Sequence, residues 1–123
     1  FSYLIDFRSR FTATHSAGVT ACACRLAQLF GLTSEEVKTM GIAGQLHDLG
    51  KLSIPNSILE KPSGLTREEF AIIKRHTYHT YAVLNMIGGM GPIPEWAAFH
   101  HEKLDGSGYP FRIDSRKISS GSR

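Results

Sequence analysis

The apolar positions of this chain recur every three or four residues, which is the spacing of an amphipathic helix. The pattern predicts four helices, over residues 14–30, 34–47, 66–87 and 94–100. Thr33 with Glu36, and Thr66 with Glu69, have the spacing of capping boxes, which predicts where the second and third helices begin. Because no run of alternating polar and apolar residues is long enough for a strand, we expect an all-α helical bundle.

Two of these helices carry apolar stripes that predict their buried faces. The stripe on the first helix consists of Val19, Cys22, Ala23, Leu26 and Phe30, with His15 one turn before it. The stripe on the third helix consists of Phe70, Ile73, Thr77, Leu84 and Ile87. Both helices are therefore expected to pack along these residues.

The other stretches are predicted to connect the helices. Gly50 is expected to end the second helix, and residues 49–65, rich in Pro, Gly and Ser, predict a loop with one helical turn at residues 57–59. Residues 105–110 predict a tight turn. Residues 1–14 indicate an incoming helix or arm, and residues 118–123 the start of a further element.

Composition limits what such a bundle can be. A length of 123 residues with 41% hydrophobic content predicts one globular domain. A net charge of +3 and a pI of about 9.0 suit a small phosphorylated ligand but not a nucleic-acid polymer. The sequence shows no candidate membrane span or signal peptide. Cys22 and Cys24 would point to nearly opposite sides of a helix, which predicts free thiols and a cytoplasmic location.

The candidate chemistry centres on the run GIAGQLHDLGK at residues 41–51. His47 offers a nitrogen ligand and Asp48 a carboxylate that can bridge two cations. Four further histidines fall at helix positions from which they could converge on this pair: His15, His76, His100 and His101. His79 is expected to stay outside the site. Such a ligand set suits Fe, Mn, Co, Ni or Zn better than Mg or Ca. Two such ions about 3.5–4 Å apart would support phosphoester hydrolysis.

Nearby polar residues have two interpretations each. Lys51 either stabilises charge on a phosphoryl group or is a solvated loop lysine. Because adjacent side chains on a regular helix diverge by about 100°, His100 and His101 either bind two metals or bind one metal and a phosphate. Glu102 and Asp105 are either partners that orient these rings or charges at a helix end.

Three ordered motifs resemble those of the HD-GYP subgroup of the HD-domain metal-dependent phosphohydrolases. They are DFRSRFTATHS at residues 6–16, HDLGK at residues 47–51 and HHEKLDGSGYP at residues 100–110, with His76 between the last two. The resemblance covers essentially the whole chain and implies an HD-domain-like helical bundle. It also implies a metal-dependent phosphodiesterase that hydrolyses cyclic di-GMP in bacterial second-messenger signalling.

The resemblance further implies roles for individual residues. The implied metal ligands are His15, His47, Asp48, His76, His100 and His101. Asp48 and Lys51 would be catalytic, with Lys51 on the phosphate side, and Tyr109 would contact the substrate or shape its pocket. Some members of the subgroup place a Glu four residues before the first ligand. Here that position is Phe11, which favours two metals, with Fe or Mn expected first and Ni, Co or Zn as alternatives.

The last metal ligand of the family is an Asp on the helix that follows the signature loop. Asp114 is too close to that loop to take this role, so residues 1–123 are expected to be a single HD-GYP-like domain without its last helices, with impaired activity. A sensor or regulatory domain is expected in the parent chain. Two other readings stay open: an HD-domain hydrolase of another nucleotide, and a non-catalytic domain that binds ligands or proteins.

Overall fold

A computed structural model describes residues 15–123, and the regular structure of this part is helical. The α-helices are α1 (His15–Leu29), α2 (Ser34–Leu46), α3 (Asn56–Leu59), α4 (Arg67–Ile87) and α5 (Ile93–Ala98). The 3-10 helices are Leu49–Ser53, Phe99–His101 and Ser120–Ser122. No strand forms within residues 15–123, where Asp105 and Asp114 make only an isolated bridge. The all-α prediction is confirmed, and the prediction for residues 1–14 lies outside the described residues.

Both predicted capping boxes are present at the starts of α2 and α4. The Thr33 hydroxyl accepts from the Glu36 amide at 3.3 Å, and the Glu36 carboxylate accepts from the Thr33 amide at 2.8 Å. Thr66 and Glu69 repeat the exchange at 3.2 and 2.8 Å. Each box satisfies two amides that have no partner inside the helix, which is why these helices begin at the predicted residues.

The core lies where α2, α4 and α5 meet. Its buried members are Ala43, Leu84, Ile93 and Ala97, and Leu46, Leu49, Met90 and Trp96 pack against them. α4 packs on α5 and on the 3-10 helix Leu49–Ser53, while α1 packs on α2. α2 also packs on α5, so α2 and the 3-10 helix that follows it are held by α5 and α4, respectively. No helix in residues 15–123 is both long and apolar enough to cross a membrane.

The predicted buried stripe of α1 is wrong in part. Cys22 is exposed, Leu26 is 49% exposed and Phe30 is 81% exposed, whereas Ser16 and Ala27 are buried. The helices approach instead through small residues: a Cβ added to Gly44 would lie 2.9 Å from the Thr20 hydroxyl. Close helix contact along small side chains leaves the larger ones at the edge. Both cysteines are free thiols, as predicted.

The predicted stripe of α4 is correct in the middle of the helix and wrong at its ends. Thr77 and Leu84 are buried, but Phe70 is 46% and Ile87 65% exposed. α4 has 21 residues and its main neighbours are much shorter, so its ends project beyond them. Polar residues also line its covered face, namely His76, Thr77 and Thr80.

Gly50 does not end α2, which stops at Leu46, but lies inside the 3-10 helix Leu49–Ser53. Its backbone touches α4 so closely that an added Cβ would overlap the carbonyl of His76.

We expect Gly50→Ala to lower the free energy of unfolding by at least about 2 kcal/mol, because backbone must move to admit the methyl group. Gly64→Ala is the control, since a Cβ there meets nothing within 4 Å. Equal urea midpoints for the two variants would refute this close approach.

Candidate metal centre

Five histidines and one aspartate reach a common point from four parts of the fold. His15 is the first residue of α1, His47 and Asp48 follow α2, His76 lies within α4, and His100 and His101 lie in the 3-10 helix Phe99–His101. Neighbouring ring centroids are 4.3–5.6 Å apart. The structure thus brings together every residue that the sequence predicted as a metal ligand.

These side chains form two groups, each with three ligand atoms that lie within 4.8 Å of one another. One group contains His15, His47 and Asp48, and the other contains His76, His100 and His101. The adjacent His100 and His101 thus belong to the same group, although the sequence left open whether they face different partners. His79 belongs to neither group, as expected, and Asp114 pairs with Arg116 at 2.7 Å.

Asp48 joins the two groups because its oxygens face opposite partners. Oδ1 lies 3.4 Å from Nε2 of His76, and Oδ2 lies 3.1 Å from Nε2 of His47. The Lys51 ammonium donates to Oδ2 at 2.7 Å. The carboxylate is buried, whereas the lysine is partly exposed. The geometry is that of a carboxylate placed between two nitrogen donor sets.

Three of the rings are oriented by the same backbone contact. Nδ1 of His47 lies 2.7 Å from the Gly44 carbonyl, and Nδ1 of His76 lies 2.7 Å from the Ile73 carbonyl. His100 repeats the pattern with the Ala97 carbonyl at 2.8 Å. A carbonyl can only accept, so Nδ1 carries the proton, and the Nε2 of neutral His76 and His100 keeps a free lone pair. Nε2 of His47 instead faces the Asp48 carboxylate, to which it donates when the ring is protonated.

The free Nε2 lone pairs of His76 and His100 face each other, an arrangement that favours a bound cation between them. Nε2 of His76 and Nε2 of His100 are 3.4 Å apart, and two acceptors at this distance repel unless a proton or a metal ion lies between them. Burial, and then the nearby His101, lower the pKa of His100 to about 3. A proton is therefore a poor occupant, and neutral imidazoles are the form that binds Fe, Mn, Co, Ni or Zn.

The pKa of His47 is shifted in the opposite direction from the pKa of His100, and the contact with Asp48 is the cause. Burial is the largest single influence on the pKa of His47 and lowers it, but the hydrogen bond and negative charge of Asp48 raise it overall. Burial likewise opposes ionisation of Asp48, and contacts with His47 and Lys51 outweigh it, so the pKa of Asp48 falls well below its ordinary value. The carboxylate therefore stays charged at neutral pH and can attract a cation.

A loop anchored to this cluster carries Tyr109. The Tyr109 ring stacks on His101 with centroids 4.8 Å apart and an interplanar angle of 22°. Oε1 of Glu102 accepts from the amides of Phe111 at 2.6 Å and Arg112 at 3.1 Å. Asp105 accepts from the Ser107 amide at 2.9 Å. Both carboxylates thus hold the loop backbone, a role that neither interpretation from the sequence included.

We expect Glu102→Ala to loosen this loop. Arg112 has a φ of 54°, a conformation that a side chain disfavours, and its amide and that of the preceding Phe111 both donate to Glu102. Loss of hydrogen bonds to a charged group should raise the rate of tryptic cleavage after Arg112 about tenfold. Glu102→Gln keeps an acceptor and should cleave like the wild type. Glu60→Ala, at an exposed position, is the control, and equal rates for Glu102→Ala and Glu60→Ala would contradict the anchoring role.

A cavity of about 470 Å³ lies beside the two groups. His15, His47, Asp48, Lys51, His100 and His101 line one part of it. Met40, Trp96, Gly121 and Ser122 line another, and the sequence did not predict these. Trp96 donates to the Ser119 hydroxyl at 3.1 Å, and a Cβ on Gly121 would overlap its ring. The segment predicted as the start of a new element is a 3-10 turn that forms a wall of the cavity.

Comparison with known proteins agrees with this geometry. Residues 1–123 match the family described as HD domain, so the chain belongs to the HD-domain family, and it is of the HD-GYP type. HD domains are metal-dependent, and the two groups described above could bind metal.

Several curated relatives cover almost the whole chain. The 3'3'-cGAMP-specific phosphodiesterase 1 of Vibrio cholerae is 40% identical over 98% of this chain and 28% of its own length. The 3'3'-cGAMP-specific phosphodiesterase 2 of the same organism is 41% identical over 97% of this chain and 23% of its own. A cyclic di-GMP phosphodiesterase of Thermotoga maritima is 39% identical over 94% and 32%. The chain thus spans about a quarter to a third of the length of these relatives.

Proposed function

We propose that this domain is a metal-dependent phosphodiesterase that hydrolyses a cyclic dinucleotide, with cyclic di-GMP as the first expected substrate. The observation that carries the proposal is Asp48, whose two oxygens face two histidine groups while a lysine contacts one of them. Relatives that act on cyclic di-GMP and on 3'3'-cGAMP support the substrate class.

The proposed metal ligands are His15, His47, Asp48, His76, His100 and His101. Two ions are proposed because the ligands form two groups, with Fe or Mn first and Ni, Co or Zn as alternatives. Bound divalent cations supply water activation and neutralise phosphoryl charge. The backbone carbonyls of Gly44, Ile73 and Ala97 keep the rings in the tautomer that presents Nε2.

The remaining residues act on the substrate itself. In hydrolysis a water oxygen forms a bond to phosphorus, the bond from phosphorus to the ribose oxygen breaks, and that oxygen gains a proton. Lys51 is proposed as a catalytic residue whose ammonium faces the negative charge that grows on the phosphoryl group. Tyr109 is proposed as a substrate contact because its ring stacks on His101, which lines the cavity.

The test is metal content and product analysis on the same sample. The parent protein is loaded anaerobically with Fe(II) or Mn(II), desalted and measured by plasma emission, and then given cyclic di-GMP, 3'3'-cGAMP or cyclic AMP. We expect about two ions per chain and linear dinucleotide from a cyclic dinucleotide only. Metal without turnover would favour the non-catalytic binding domain, and turnover of cyclic AMP alone would favour a hydrolase of another nucleotide.

Three further expectations concern the parent protein and stay predictions: the single-domain organisation of residues 1–123, the cytoplasmic location, and a sensor or regulatory domain that controls the site.

A further inference from the structure

The turn that carries Asp48 is fastened to α4 by one buried hydroxyl. Thr80 is 0% exposed, and its hydroxyl donates to the His47 carbonyl at 3.2 Å while it accepts from the Gly50 amide at 2.9 Å. A hydroxyl has one proton to donate and lone pairs to accept with, and here both functions go to the same short turn. Thr80 therefore holds the turn on both sides of Asp48.

The same face of α4 carries the ring opposite Asp48. Thr80 follows His76 by four residues, which places the two side chains one helical turn apart on one side of the helix. The backbone of Gly50 also lies directly against the His76 carbonyl. Thr80 therefore connects the turn that carries Asp48 to the helix that carries His76. The 3.4 Å separation of Asp48 Oδ1 from His76 Nε2 lies across this contact.

Thr77 shows that the helix alone does not require these contacts. It is also 0% exposed and lies on the same helix, but its hydroxyl donates to the Lys74 carbonyl of its own helix at 3.0 Å. A threonine inside a helix commonly satisfies its hydroxyl in this local way. Thr80 instead directs its hydroxyl to a different element, at the place where the two ligand groups meet.

We propose that Thr80 is a positioning residue that sets the distance between the His47–Asp48 pair and His76, and thereby the spacing of the two ligand groups. This inference rests on the proposed metal-dependent function. Thr80 does not bind metal itself but fixes the backbone that carries the ligands. Loss of its hydroxyl should therefore weaken metal binding although all the ligands remain. Thr80→Val is the sharpest variant because it keeps the shape and removes the hydroxyl.

The first measurement needs no metal. In Thr80→Val the Gly50 amide loses its acceptor, so its hydrogen-exchange protection by NMR should fall at least about tenfold, as for loss of one buried hydrogen bond. Thr80→Ser keeps the hydroxyl and should restore most of the protection. Thr77→Val matches the change in residue type, helix and burial, and should leave Gly50 protected. Unchanged protection in Thr80→Val would overturn the proposal.

The second measurement is titration with Co(II), whose visible absorption reports ligand geometry. Thr80→Val should raise the Kd for Co(II) by about tenfold or more and alter the absorption bands, whereas Thr77→Val should do neither. If wild type binds Co(II) and both valine variants bind it alike, the positioning role is wrong and the proposed function stands. If wild type binds no Co(II), the proposed function fails, and the positioning role falls with it.

Discussion

Asp48→Ala is expected to abolish both metal retention and phosphodiesterase activity. The carboxylate is the contact that the two ligand groups share, with Oδ1 toward His76 and Oδ2 toward His47. Its removal leaves the Lys51 ammonium, now 2.7 Å from the Asp48 Oδ2 oxygen, without its negative partner. An unpaired positive charge at the site should repel metal cations. Charge stabilisation by two metals is worth several kcal/mol, so turnover should fall at least about a thousandfold. His47→Ala should have the same effect on metal and turnover.

The measurement combines plasma emission, circular dichroism and cyclic di-GMP hydrolysis on each variant. Controls of the same residue types lie outside both groups: His79→Ala, and Asp114→Ala, which removes a carboxylate paired with Arg116 at 2.7 Å. The controls should retain wild-type metal and activity. An Asp48 or His47 variant with wild-type metal content and turnover would show that this pair does not form the site.

Much of this site could be predicted because its signals are local in sequence. The capping boxes at Thr33 and Thr66 predict the starts of α2 and α4. The HDLGK and HHEKLDGSGYP runs predict the candidate metal ligands. Each of these signals depends on residues within a few positions of one another. Local signals do not show that these segments converge in space, and the packing of α5 on both α2 and α4 brings them together.

What could not be predicted depends on contacts between distant segments. Periodicity assigned Phe70 and Ile87 to a buried face, but burial depends on how far the neighbouring elements extend, and both ends of α4 project beyond its shorter neighbours. A regular helix was assumed at His100 and His101, whereas a 3-10 helix brings their ring centroids to 4.3 Å. The contacts of Thr80 with the His47–Gly50 turn span about thirty positions, and no local pattern encodes them.

Lys51→Met is expected to lower turnover about a hundredfold while both metals stay bound. Methionine keeps an unbranched apolar stem but removes the ammonium, and loss of one transition-state donor typically costs this much. The structure adds a competing explanation, since the ammonium donates to Asp48 at 2.7 Å and could act only by holding that carboxylate. The two roles differ in metal content: an effect through Asp48 should change metal affinity, whereas a contact with phosphate should change turnover alone.

The matched control is Lys61→Met, because Lys61 also pairs with a carboxylate, Glu69 at 2.6 Å, but is absent from the lining of the cavity. It should have wild-type kinetics. Lys51→Arg keeps the charge with a different shape and should recover part of the lost turnover, since a guanidinium also donates to phosphoryl oxygens. Full metal content with unchanged kcat in Lys51→Met would leave Lys51 as a partner of Asp48 only, and the charge on the phosphoryl group would then have to be neutralised by the metals alone.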